Sequence, residues 1–214
     1  MPTRAEDIPR IFRYVVRIDR GGSPNPDHGW CSLAVCKPLI RRTARVGDWI
    51  VGLRSRANDE VIYAMRVDEV LGLDAYWQDL RFKAKRPGRT PTPDNFYRAD
   101  RTGVLTRVEN ALHGPDESTR DTAGLHALVS WHFWYFGANS PPLPNHLTHL
   151  VHSGQGHALH TRRRPGDVDH LMQWLSHWPA GVLGESVDRP SHRRVASKTI
   201  PQSTRLAPSD GPGR

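Results

Sequence analysis

The sequence predicts an α+β domain: a mixed or antiparallel, partly closed β-sheet flanked by short helices. Three observations predict it. Residues 11–18 alternate with period two, residues 49–53 and 61–67 are apolar runs joined by a polar link, and from Asp167 apolar residues return with helical spacing.

In the first segment Phe12, Tyr14, Val16 and Ile18 share one face and Arg13 and Arg17 the other, the pattern of a half-buried strand. Residues 19–29 hold Gly21, Gly22, Gly29, Pro24, Pro26, Asn25 and two aspartates, which reads as a loop. Residues 30–36 form a second apolar run. It ends at Lys37-Pro38, because Pro38 has no amide hydrogen to donate. Gly47-Asp48 is a turn into the third strand, with Trp49 and Ile50 on opposite faces, and residues 61–67 return beside it. Asp74 is placed to cap a short helix over 75–82. Residues 83–95 carry three prolines and several cations and read as an exposed loop. Residues 128–136 are a buried aromatic strand, and Pro141, Pro142 and Pro144 break the chain after it. Val168, Leu171, Met172 and Leu175 make the apolar stripe of the last helix, which Pro179 and Gly181 stop.

A chain of 214 residues suits one domain. We place it at 1–185, followed by a disordered tail at 186–214 in which no periodicity survives. The net charge is +8, and the tail, with six Lys/Arg against two acids, carries half of it. Such a balance favours polyanionic partners. No run approaches the ~18 apolar residues of a membrane span, and residues 1–10 lack the apolar core of a signal peptide. Two cysteines make no disulfide framework, so a cytoplasmic setting is expected.

The most informative stretch is residues 23–52, SPNPDHGWCSLAVCKPLIRRTARVGDWIVG, continued by VIYAMRVDEVL at 61–71. The Pro24-Asn25-Pro26 loop, Cys31-Ser32-Leu33-Ala34, Cys36-Lys37-Pro38 with Ile40-Arg41, and Val46 through Gly52 together resemble the nucleotide-modification-associated domain 2 family, a bacterial and phage group. Tyr63-Ala64-Met65, Tyr76-Trp77 and Tyr135-Phe136-Gly137 fit as well, and Ser23 departs from it. The resemblance implies a link to DNA base-modification systems. The Gly-Asp-Trp turn and its following strand are also similar to PUA-like and EVE-like domains, partly open β-barrels that hold modified bases. That likeness implies a PUA-like barrel and nothing about the reaction.

On this basis a base or nucleotide is expected in an aromatic pocket formed by Asn25, Trp30, Asp48, Trp49, Tyr63 and Trp77. Stacking on an aromatic ring is worth ~1–3 kcal/mol per base. Lys37, Arg41, Arg42 and Arg45 are the expected phosphate contacts, each steepening the salt dependence of duplex binding by ~0.9. Further cations stand at Lys83, Lys85, Arg86 and Arg89 and at Arg162–Arg164. The expected partner is nucleic acid, DNA foremost, or a nucleotide, with other base-modification proteins alongside and no membrane.

No cofactor or metal is expected. His149 and His152 are three apart, as are His157 and His160, but residues 153–156 interrupt any helix there. Cys31 and Cys36, an odd number apart, would face opposite sides of a strand, and both read as small buried hydrophobes. The leading expectation is therefore a binding module. An enzyme of the modification pathway is the alternative, with Asp48, His28, Tyr63 and His157 as its polar groups.

Overall fold

The computed structural model describes residues 9–55, 57–152, 157–159 and 166–188. In it β1 (Ile11–Val16) lies parallel to β3 (Trp49–Arg54), with Phe12 opposite Ile50 and Tyr14 opposite Gly52. The connection between them holds the short β2 (Cys31–Leu33) and α1 (Pro38–Thr43). β3 turns back antiparallel into β4 (Ala57–Arg66), as the hairpin pattern predicts. The register shifts after Gly52, so that Leu53 opposes Val61 and Ile62 is the extra residue of a bulge. Gly52 is required at its place: a Cβ there would overlap the Tyr63 ring.

β5 (Glu69–Gly72), β8 (His126–Ser130) and β9 (Phe133–Tyr135) complete a bent pair of chains. β4 pairs with β9 and β5 with β8, so both chains pass from one sheet to the next at the same level. Asp68 pins that corner by accepting from the amides of Trp131 (2.9 Å) and His132 (3.2 Å). With β10 (His157–Leu159) and β11 (Gly181–Val182) the larger sheet has the order β10-β1-β3-β4-β9-β11 and the smaller β2-β8-β5. A separate ribbon joins β6 (Tyr97–Ala99) to β7 (Leu105–Arg107). The mixed α+β class is as expected. Among the described residues no closed barrel forms.

The period-two pattern sorts the core into layers. Phe12, Tyr14, Val16, Ile50 and Tyr63 pack with Cys31, Leu33 and Ile40 on one face of the large sheet. Ile11, Trp49, Val51 and Leu53 pack on the other, under α4 (Asp167–Leu175). That helix buries Leu171, Trp174 and Leu175; Met172, expected in its stripe, is 39% exposed. A third cluster, Val35, Tyr76, Phe82, Phe96 and Val129, is covered by α2 (Leu73–Gln78). No helix among the described residues is long and apolar enough to cross a membrane.

Three local expectations change. Asp74 does not cap α2; it accepts from the Ala99 amide, and Asp79 caps the following 3-10 turn through the Arg81 amide. The basic segment 83–95 is not all exposed. Lys85 is fully buried, its ammonium shared among the carbonyl oxygens of Asn25 and Trp30, Asn25 Oδ1 and Ser32 Oγ at 2.7–3.0 Å. Ser186–Asp188, the expected start of the tail, are attached: Ser186 meets the Tyr135 hydroxyl, and Val187 and Asp188 donate to Asp19. Residues 189–214, and with them the rest of the expected tail, lie outside the described residues, as do Arg162–Arg164.

Candidate active site

The loop between β2 and α1 brings a thiol, an imidazole and a buried carboxylate together. Cys36 and Lys37 both adopt left-handed backbone angles, with φ of +57° and +41°. For residues with a Cβ this is sparsely populated, and something must hold it. Arg41 does. Its side chain is fully buried and reaches back from α1 to donate to the carbonyls of Cys36 (2.7 Å), Ala34 (2.7 Å), His126 (2.9 Å) and Asp121. Burial lowers its pKa to about 10, against the attraction of Asp121, so the guanidinium keeps its charge at neutral pH. Gly124 makes room, since a Cβ there would overlap the guanidinium. Arg41 was expected to contact phosphate; in this structure each of its three guanidinium nitrogens donates to a backbone carbonyl instead.

Asp121 lies in α3 (Ser118–Thr122) and is fully buried. Its Oδ1 accepts from the Cys36 amide at 2.8 Å. Its Oδ2 accepts from His113 Nδ1 at 2.5 Å and from the Tyr97 hydroxyl at 3.2 Å. The other imidazole nitrogen, Nε2, stands 3.5 Å from Cys36 Sγ. The result is a chain Asp121–His113–Cys36: an orienting carboxylate, an imidazole and a thiol, the general layout of an activated nucleophile. Arg120 Nη2 lies 3.9 Å from the same sulfur.

The charges in this chain support one another. Burial opposes the His113 imidazolium, but hydrogen bonds to Asp121 and Cys36 outweigh it and raise the pKa to about 10. Burial likewise works to raise the Asp121 pKa, and His113, the Cys36 amide and Arg41 together bring it below the usual carboxylate value. An imidazolium is the partner that a thiolate takes in Cys–His sites. Cys31 differs: it lies in β2 and is fully buried, and desolvation pushes its thiol up to about 12. The expectation that both cysteines are inert hydrophobes holds for the environment of Cys31 and not for that of Cys36, which is only half-buried.

Cys36, His113 and Asp121 are also close enough together to be weighed as metal ligands. Both Asp121 oxygens are taken, by the Cys36 amide and by His113 and Tyr97. That leaves Cys36 Sγ and His113 Nε2 to face an ion, two short of the four ligands of a structural zinc site. The donor set fits a nucleophile better than a metal.

Two clefts meet at Cys36. The wider, about 410 Å³, is bounded by Tyr14, Arg17, Lys37, Leu39 and Arg120. The narrower, about 260 Å³, is bounded by Arg20, Leu112, His113 and Glu117. Ile18, Ser23 and Cys36 belong to both. The thiol and imidazole thus border space large enough for a small ligand.

The other expected site residues are dispersed. Trp49 and Tyr63 are core residues on opposite faces of the large sheet, so they share no pocket. The Tyr63 hydroxyl is 3.0 Å from that of Tyr14. Asp48 accepts from the Arg10 side chain and from the amides of Arg10 and Arg45, which commits it to the turn. Asn25 is buried and bonded to Lys85 and Thr92. Trp30 is half-buried beside Trp131, and Trp77 lies under Arg86 and Arg98 at 4.5 and 5.7 Å. Arg42 and Arg45 are exposed, and Lys37 is beside Cys36 on the wider cleft. His28 is exposed; the His157 side chain, His160 and residues 153–156 lie outside the described residues. Sequence reading missed His113 and Asp121, which stand 77 and 85 residues from Cys36 in the chain. The one local signal was Cys36 itself, placed between the end of an apolar strand and Pro38.

Fold and site together define an α+β protein with a cysteine-centred polar site opening on a basic cleft. A family model, nucleotide modification associated domain 2, matches residues 8–195, and the chain belongs to that family. The family ties it to nucleotide-modification systems. No curated protein and no solved structure matches it.

Proposed function

We propose that this protein is an enzyme of a nucleotide or DNA-base modification pathway and that Cys36 is its nucleophile. The observation that carries the reading is the Asp121–His113–Cys36 chain at the junction of two clefts. The Cys36 sulfur adds to an electrophilic carbon of the nucleotide or base. The atom that gains the electron pair takes a proton from His113 and departs as a neutral leaving group. Water, deprotonated by the now neutral His113, then displaces the sulfur, which restores the thiolate and the imidazolium and releases a product of changed mass. Asp121 holds His113 in register and stabilises its cationic form.

The test is the mass of nucleosides recovered after incubating nucleotides or oligonucleotides with the protein. The wild type should produce a new mass, or an intact-protein adduct on Cys36, and Cys36→Ser should produce neither. Equal product from Cys36→Ser excludes the nucleophile.

A second reading, a module that reads a modified base in nucleic acid, is favoured by one observation. Trp131 is 51% exposed and meets the half-buried Trp30 edge-on at 6.0 Å, which leaves an aromatic surface for stacking. Binding of plain and modified oligonucleotides across a salt series tests it. Preference for one modified base that persists at high salt and disappears in Trp131→Ala supports it; equal, salt-sensitive binding removes it.

A further inference from the structure

The wider cleft beside Cys36 is lined by three cations and no carboxylate. Arg17 stands just past the end of β1, Lys37 follows the cysteine, and Arg120 reaches in from α3. Arg120 pairs with Glu117 at 2.9 Å, whereas Arg17 and Lys37 have no carboxylate partner among the described residues. Lys37 lies over the Tyr14 ring, its ammonium 4.3 Å from the centroid. Burial lowers the Lys37 pKa; the charge of Cys36 opposes that, and Arg17 and Arg120 add to it. Like charges held together in this way are relieved by an anion.

The rest of the lining is largely apolar, Ser23 and Cys36 apart. Ile18 and Leu39, 60% and 46% exposed, line the cleft together with Val16 and Pro38. Three cations, two of them without a carboxylate partner among the described residues, beside an apolar slot match a ligand that combines a phosphate with a flat ring. A volume of about 410 Å³ is within the ~300–1,000 Å³ of small-ligand pockets and accommodates one such unit.

We propose that this cleft is the binding site of a single nucleotide, its phosphate held by Arg17, Lys37 and Arg120 and its base lying between Ile18 and Leu39, against Cys36. The proposal rests on the reading of Cys36 as nucleophile for what happens to the base. The phosphate anchor stands on the cleft alone. Arg17 and Arg120 carry no motif in the sequence; the fold brings them to Lys37.

The test is calorimetric titration of full-length Cys36→Ser, which removes the reaction and leaves the cleft. The probes are the deoxynucleoside 5′-monophosphates, the matching nucleosides and inorganic phosphate. At least one monophosphate should bind about tenfold or more tightly than its nucleoside, as a charge-assisted contact requires. Lys37→Gln and Arg17→Gln should each weaken the monophosphate by about tenfold and leave the nucleoside unchanged. Arg17 is exposed, so Arg17→Gln carries the comparison if Lys37→Gln melts early. Equal affinity for nucleoside and monophosphate overturns the proposal, as does wild-type affinity in both variants. Inorganic phosphate binding as tightly as every nucleotide overturns it too, since the base then adds nothing. If monophosphates bind as described but the wild type forms no product or adduct, the nucleophile reading fails and the nucleotide site remains.

Discussion

Asp121 holds Cys36 twice: its Oδ1 accepts the Cys36 amide at 2.8 Å, and its Oδ2, 2.5 Å from His113 Nδ1, orients the imidazole that faces the Cys36 sulfur. One buried carboxylate therefore contacts both the left-handed loop and the imidazole beside its thiol. In Asp121→Asn the amide oxygen can still accept from Cys36, but the charge is gone and the amide group no longer suits an Nδ1 donor. We expect the His113 titration to fall toward the ordinary ~6.5 and thiol reactivity at neutral pH to drop about 10²-fold or more. Imidazole NMR and alkylation kinetics check it. An unchanged His113 titration would show that the carboxylate serves the fold alone.

His113 gives a pH signature of opposite sign to the usual carboxylate. Its folded pKa is raised to about 10, so folding favours the charged imidazole. The stabilisation is complete below the unfolded value of ~6.5 and is lost as pH rises through about 10. The stability advantage of the wild type over His113→Gln should shrink across that window in urea denaturation. An advantage that grows with pH contradicts the assignment.

Arg41 separates a structural cation from a nucleic-acid contact. Arg41→Met leaves four carbonyls without their donor, which should cost about 3 kcal/mol or more. Gly124→Ala should also destabilise, by crowding the same guanidinium. Denaturant midpoints read both effects. Were Arg41 a phosphate contact, the variant would keep its midpoint and lose about one unit of salt slope instead.

Trp30 and Trp49 should differ sharply in what their removal costs. Trp49, 1% exposed between the sheet and the α4 layer, should cost about 3–5 kcal/mol as Trp49→Ala. Trp30→Ala, at a half-buried edge, should cost clearly less. Similar losses in both would contradict the burial pattern.

The legible part of the sequence reflects the range of the forces involved. Period-two alternation in 11–18, 49–53 and 61–67 is local, and β1, β3 and β4 form where it points, with Trp49 and Ile50 on opposite faces. The bend of β8 into β9 was invisible, because it depends on Asp68, from the distant link between β4 and β5, accepting the Trp131 and His132 amides. Arg41 and Lys85 look like solvent-facing cations since their acceptors are mostly backbone oxygens, which leave no mark in side-chain identity. The triad was hidden because two distant segments, Cys36 and the stretch 113–121, meet only in the fold. Of the four cations expected at phosphate, Lys37, Arg41, Arg42 and Arg45, Lys37 is the one that lines the cleft at Cys36.

The most direct measurement is the rate at which iodoacetamide labels each of the two cysteines, followed by mass spectrometry of the folded protein. Cys36 should be labelled far faster than the buried Cys31, and His113→Gln should slow Cys36 without changing Cys31. Labelling of Cys36 that is indifferent to His113 would contradict the proposed nucleophile.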